Sequence, residues 1–120
     1  MAEVRATLAR GFRIGDAVYT TVVLKEATAG DVLDAEIAAE RVYATAAGPV
    51  VHSSPAVAAF ELLARQVDRL IGEGGEEFEG AVTAKMLRAL PRLDLDLLMA
   101  ESRTLENAAE REVLSERGRE

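Results

Sequence analysis

The chain has 120 residues, 49% hydrophobic and 29% charged, which is the composition of a core-forming polypeptide rather than a disordered one. That length is one domain's worth, and it buries roughly two-thirds of the surface its unfolded form exposes, so a core forms without disulfides or a structural metal. With no cysteine, one histidine and a net charge of −7, thiol catalysis, cysteine-ligated zinc and iron–sulfur clusters are excluded, and phosphate backbones and anionic membranes are repelled on average.

Met1 to Arg10 lacks the continuous apolar core of a signal peptide, so the protein is expected to stay where it is made, and the absence of cysteine agrees with a reducing cytoplasm. No membrane span is expected either, because Gly48, Pro49 and Pro55 break the longest uncharged stretch, Val42 to Ala59. Thr7–Ile14 and Val18–Lys25 are rich in Thr, Val, Ile, Phe and Tyr and flank Gly15-Asp16, which predicts a β-hairpin over about 7–25 with a type II′ turn. That turn pairs Phe12 with Tyr19 and Arg10 with Thr21. Leu8, Phe12, Ile14, Tyr19 and Val23 then share one face, and Ala9, Val18, Val22 and Leu24 the other. Both faces are partly apolar, and a lone hairpin is marginal in water, so helices or another chain must cover it.

Thr28 and Asp31 form a capping signature that opens a helix over about 29–47, ended by Gly48-Pro49. Ser54-Pro55 opens a second helix over about 55–71, in which Phe60, Leu63, Ala64, Val67, Leu70 and Ile71 make the clearest amphipathic stripe. Gly72 to Gly80 reads as a solvated loop, Thr83 as the cap of a short helix over 83–90, and Asp94 as the cap of a last helix over about 94–112, with fraying expected before Glu120. The fold class is therefore α+β: an N-terminal β-hairpin followed by three to four α-helices, in a single domain spanning 1–120.

The candidate chemical sites are weak. Gly72-Glu73-Gly74-Gly75 lacks the third glycine of a dinucleotide fingerprint and the Gly-Lys-Ser/Thr end of a P-loop, and its glutamates repel phosphate. Asp94 and Asp96 resemble two calcium ligands, but Leu97, Leu98 and Met99 stand where further ligands belong. His52 reads as a loop histidine with no motif around it. The pairs Glu36 with Glu40 and Glu106 with Glu110 read as wet helix faces. A helix-turn-helix built from the helices starting at Pro55 and Thr83 would have a long acidic connection and offer only Lys85 and Arg88 to a groove.

Val22-Val23-Leu24-Lys25-Glu26, followed at once by Thr28-Ala29-Gly30-Asp31-Val32-Leu33-Asp34, resembles the tail assembly chaperones of Mu-like phages. In that family a strand and a Leu-Arg-Glu-Pro-like end lead into a Thr-Ala-Gly-Asp-Leu-like helix start; Lys25 and Ala27 stand here where arginine and proline are common. Leu62 to Val67, Phe78-Glu79-Gly80 and Leu90 to Leu98 are similar to the family's second half, so the resemblance runs from about Leu8 to Leu105. It implies a non-enzymatic protein without cofactors, working in the cytoplasm of the host bacterium. Such proteins coat the long tape-measure protein and keep it soluble, leaving as tail-tube subunits polymerise. Partners would be the tape-measure protein, the tail tube protein and a second copy of the chain, with no nucleic acid and no membrane.

A tape-measure chaperone needs an exposed apolar helix face. Leu95, Leu98, Met99 and Leu105 of the last helix are the first candidates, with core completion as the competing role for the same residues. Phe12 and Tyr19 on the hairpin come next. A small acidic DNA-binding or regulatory adaptor is the alternative function, with a small hydrolase behind it.

Overall fold

The computed structural model describes residues 2–118. Strand β1 (Glu3–Ile14) pairs antiparallel with β2 (Ala17–Lys25), with Ile14 opposite Ala17 and Phe12 opposite Tyr19 as expected. Gly15 has φ +62°, and no non-glycine residue among those described has a positive φ, which is the combination a type II′ turn needs. Arg10, however, does not face Thr21. Thr7 does, and Leu8 to Gly11 bulge out opposite Thr20. At the end of this bulge Gly11 has φ +80°, and a Cβ there would overlap the Tyr19 carbonyl. Only glycine fits that close approach.

The expected helix over 55–71 divides in two. Helix α2 (Pro55–Gln66), with Ser54 accepting from the Val57 N–H, stops at Gln66, and Val67 leaves the helical conformation to begin β5 (Val67–Gly72) on the open edge of β2. The sheet order is thus β1-β2-β5. Apolar residues at 67, 70 and 71 have helical spacing, but so short a run does not by itself separate helix from strand. A third strand is what a marginal two-stranded hairpin requires.

The helix expected over 29–47 also divides. Helix α1 (Ala29–Ala38) ends at its cap Ala39, and β3 (Glu40–Thr45) and β4 (Gly48–Ser53) form a second antiparallel pair. The β-branched and aromatic residues Val42, Tyr43, Val50 and Val51 favour strand there, and Gly48, with φ +114°, turns the chain instead of merely ending a helix. His52 therefore sits on a strand, opposite Arg41.

Short α3 (Ala84–Arg88), capped by Thr83, lies within the expected span. The last helix, α4 (Arg92–Arg117), is longer than expected and begins after Pro91 without a side-chain cap. It continues to Arg117 without a break; of the residues expected to fray, Arg119 and Glu120 lie outside those described.

The core lies on one face of the three-stranded sheet. Ala6, Leu8 and Phe12 of β1 and Tyr19, Val22 and Leu24 of β2 meet Leu63 and Ala64 of α2, Leu87 of α3, and Leu98 and Leu105 of α4. Helix α4, more than α2, covers the hairpin, lying against both β1 and β2. Tyr19 and Val22 share this face although three residues apart, because the register slips between them. Val23 points the other way yet is fully buried. Its neighbour across the ladder is Arg69 of β5, whose guanidinium crosses β2 toward Glu3 at 4.0 Å and also meets Glu77 at 3.3 Å, so that the arginine stem passes over the valine.

Candidate partner interfaces

What fixes α4, and so which of its faces is free, is a buried carboxylate. Asp94, in the first turn, is fully buried, and it accepts the backbone N–H groups of Ala9 (2.7 Å), Arg10 (3.0 Å) and Gly11 (2.9 Å). These three donors lie in the bulge, where the ladder leaves them unpaired. Asp94 is thus the partner of the β1 bulge and not a helix cap. A second tie lies further along. Buried Gln66 donates to Glu106 (3.0 Å) and accepts from the Ser102 hydroxyl (2.9 Å), and Glu106 also accepts the Ala27 N–H (3.4 Å). Glu106 is therefore part of a structural network and not one of two free acid–base carboxylates.

These ties decide where the six candidate binding residues go. Phe12, Tyr19, Leu98 and Leu105 are buried in the core, and Leu95 and Met99 are half-buried against it. The stripe expected to meet a partner faces the sheet. The exposed side of α4 carries instead Leu93 and Leu97, one turn apart, and Val113 and Leu114 near its end. The second face of the β1–β2 hairpin is no open apolar sheet either, since Glu3, Arg5 and Thr7 are exposed on it.

The largest concentration of exposed apolar side chains lies elsewhere, on α1 and the β3–β4 hairpin. Val32, Leu33 and Ile37 on α1 and Val42, Tyr43, Val50 and Val51 on β3–β4 are all exposed. On α1 the inward side is made by Ala35 and Ala39, both buried; Leu33 and Ile37 stand about 160° from Ala35 on either side, facing solvent. The hairpin is exposed along nearly its whole length, and it is anchored by Arg41, which donates to the Ala38 and Glu40 carbonyls at 2.9 and 2.7 Å. Its pairs Val42–Val51 and Ala44–Pro49 form one apolar face, while Tyr43, Val50 and His52 form the other. The β-branched and aromatic residues Val42, Tyr43, Thr45, Val50 and Val51 on either side of Gly48-Pro49 were the signal for this arm. Its projection, with that of α4 beyond Leu105, gives a radius of gyration of 16.8 Å, against roughly 13–14 Å for a compact chain of this length.

Charge is divided between surfaces. From Thr28 to Ser54 there are four carboxylates, Asp31, Asp34, Glu36 and Glu40, and one arginine, Arg41. Asp31 completes the capping box: its carboxylate accepts the Thr28 N–H at 2.9 Å and its own N–H donates to the Thr28 hydroxyl at 3.0 Å. The bond from the Thr28 backbone holds the Asp31 carboxyl below its ordinary value. On the opposite side of the charge balance, an open groove of about 620 Å³ runs between the β1 bulge and α3. Phe12, Ile14, Met86, Leu90 and Pro91 form its apolar lining, and Arg10, Arg13 and Lys85 are exposed around it.

The remaining sequence candidates are dispersed. His52 is exposed, its ring 6.2 Å from that of Tyr43. Glu36 and Glu40 do not share a helix, since Glu40 begins β3. The helix-turn-helix reading fails because β5 runs between α2 and α3. Among the described residues no group of three or more His, Asp or Glu side chains is placed to hold a metal ion, and no helix is long and apolar enough to cross a membrane.

The family of tail assembly protein gp41 matches residues 8–119, which takes in the sheet, the arm and α4 alike. The chain belongs to this tail assembly family. Among its Mu gp41 relatives, the Mu-like prophage FluMu protein gp41 of Haemophilus influenzae is 35% identical over 113 residues, covering 93% of this chain and 84% of that protein. The probable tail assembly protein gp41 of Escherichia phage Mu is 33% identical over 98 residues, covering 82% of this chain and 65% of that protein. The probable tail assembly protein FS-gp41 of the same phage is 32% identical over 99 residues, and the match spans 50% of its length. No solved structure matches the chain. The role of this Mu gp41 family member is phage tail assembly, as the resemblance in Val22–Asp34 implied.

Proposed function

We propose that this tail assembly protein is a non-enzymatic chaperone in the host cytoplasm. It binds the tape-measure protein along the outward face of α4 and keeps it soluble until tail-tube subunits enclose it. The observation that carries this reading is the two-sidedness of α4. Leu98 and Leu105 hold the helix on the sheet while Leu93 and Leu97, 61% and 37% exposed, stand one turn apart on its solvent side. A long helical client with apolar stripes is recognised by such spaced aliphatic anchors and needs no pocket. Leu95, Leu98, Met99, Leu105, Phe12 and Tyr19 serve this surface from beneath by fixing the helix. The net charge of −7 keeps coated complexes apart through mutual repulsion.

The test is co-expression with the tape-measure protein. Leu93→Glu/Leu97→Glu should abolish co-purification with the circular dichroism spectrum unchanged, whereas Leu98→Glu/Leu105→Glu should lose the fold. Unchanged co-purification of the first variant would remove α4 from the reading.

A further inference from the structure

We infer that copies of this chain associate with one another, the acidic arm of one copy (α1 with the β3–β4 hairpin) docking in the basic groove between β1 and α3 of another. On α1, Leu33 and Ile37 face solvent with Asp34 and Glu36 beside them. The hairpin that follows is a lone two-stranded pair, and its apolar face, Val42 and Val51 above Ala44 and Pro49, has nothing packed on it. Such a pair is marginal in water until something covers it. Asp34, Glu36 and Glu40 form no ion pair among the described residues, and neither do Arg10, Arg13 and Lys85 at the groove.

Each surface therefore has the charge the other lacks, and each brings apolar groups to meet the other's. Two arms brought together would set carboxylate against carboxylate, and two grooves cation against cation. The contact that satisfies both is arm to groove, which closes at a dimer when made reciprocally about a twofold axis and repeats from copy to copy when made in one direction. A nucleic acid strand would meet the cations but leave the groove's Ile14, Met86 and Leu90 without apolar partners. The contact uses neither Leu93 nor Leu97, so it goes beyond the tape-measure reading, and its test needs this chain alone.

The experiment is sedimentation equilibrium with charge-swapped variants. The wild type should exceed the monomer mass within a range of about 5–500 µM, as a contact at the small end of specific interfaces does. Asp34→Arg/Glu36→Arg and Arg13→Glu/Lys85→Glu should each be monomeric over that range, and an equimolar mixture of the two should associate again, because the reversed arm matches the reversed groove. Leu33→Ser/Ile37→Ser, which leaves charge untouched, should weaken association by roughly tenfold or more. A wild type that stays monomeric overturns the inference, and so does a groove variant that associates as the wild type does. It is also overturned by a mixture that fails to associate although both variants melt like the parent. The same holds if the groove variant keeps its self-association and loses only a salt-sensitive shift of duplex DNA, since the groove would then be a nucleic-acid site.

Discussion

Around the three-stranded sheet the large aliphatic residues point inward, and on the arm they point outward. Leu24, Leu70, Leu87 and Leu98 are fully buried in the first region, whereas α1 in the second turns Ala35 and Ala39 inward and leaves Leu33 and Ile37 to solvent. Among the described residues, seven of the eleven exposed large apolar side chains lie between Val32 and Val51, so the exposure is a property of this segment and not of the surface at large. An alanine face lets α1 lie close on α2 but removes little apolar area from water, so the arm adds little to global stability and is the part expected to open first. The sheet lobe spends its apolar residues on its own fold; the arm keeps them available.

The sharpest way to break this contrast is at the carboxylate that holds the sheet lobe together. Asp94→Ala leaves the Ala9, Arg10 and Gly11 N–H groups without acceptors, the last of them buried. It should cost about 3–5 kcal/mol in urea denaturation. Asp94→Asn should fall between, since one amide oxygen can still accept while its NH2 group meets a donor. A variant as stable as the parent would mean that the bulge is satisfied by water and that α4 is anchored by its leucines alone.

What the sequence disclosed depends on the range of the interaction. The Gly15-Asp16 turn, the Phe12–Tyr19 pair and the caps at Thr28, Ser54 and Thr83 are local, and all were readable. The bulge at Leu8–Gly11 was not, because its partner Asp94 lies more than 80 positions away and looks like an ordinary helix cap. Strands β3 and β5 read as helix because apolar residues three and four apart carry the helical period through them, and over so few positions periodicity alone does not separate helix from strand. Glycine with positive φ at Gly48 and the vacant edge of β2 decide against helix, and neither is visible in spacing alone. The last helix was located, and of the two roles left open for Leu95, Leu98, Met99 and Leu105, partner binding and core completion, the structure packs them in or against the core. Leu93 and Leu97 were left outside by the same rotation.

The contrast can be sharpened by matched substitutions in the two regions. Leu63, 3% exposed beneath the sheet, should cost roughly 2–5 kcal/mol when changed to alanine, by lost transfer energy and the cavity left behind. Val42→Ser/Val51→Ser, which removes the central pair of the arm's apolar face, should move the global transition by less than about 0.5 kcal/mol. Amide exchange along β3 and β4 should nevertheless accelerate, because that cross-strand pair is much of what holds the hairpin. If the double variant instead lowered the global midpoint as Leu63→Ala does, the arm would belong to the same cooperative unit as the sheet.

The smallest effect concerns the hinge between the regions, where β2 ends and α1 begins. The Asp31 carboxyl is held below its ordinary 3.8 first by the hydrogen bond from the Thr28 backbone, with burial opposing and the Thr28 hydroxyl, Lys25 and Arg65 assisting. A carboxyl whose folded value is depressed contributes stability that is fully present above its unfolded value and is lost as pH falls through the folded one. The capping box should therefore stay closed at neutral pH and open only under acid conditions, below the point where an unrestrained aspartate titrates. An NMR titration of the Thr28 amide should show a midpoint under 3.8 in the wild type. In Thr28→Ala the hydroxyl is gone but the backbone donor remains, so the midpoint should rise only part of the way. Full recovery of the ordinary value would show that the hydroxyl, and not the backbone N–H, holds the charge. Since Asp31 is only partly buried, acid should loosen the first turn of α1 while the sheet lobe, held by Asp94 and its leucines, keeps its own transition.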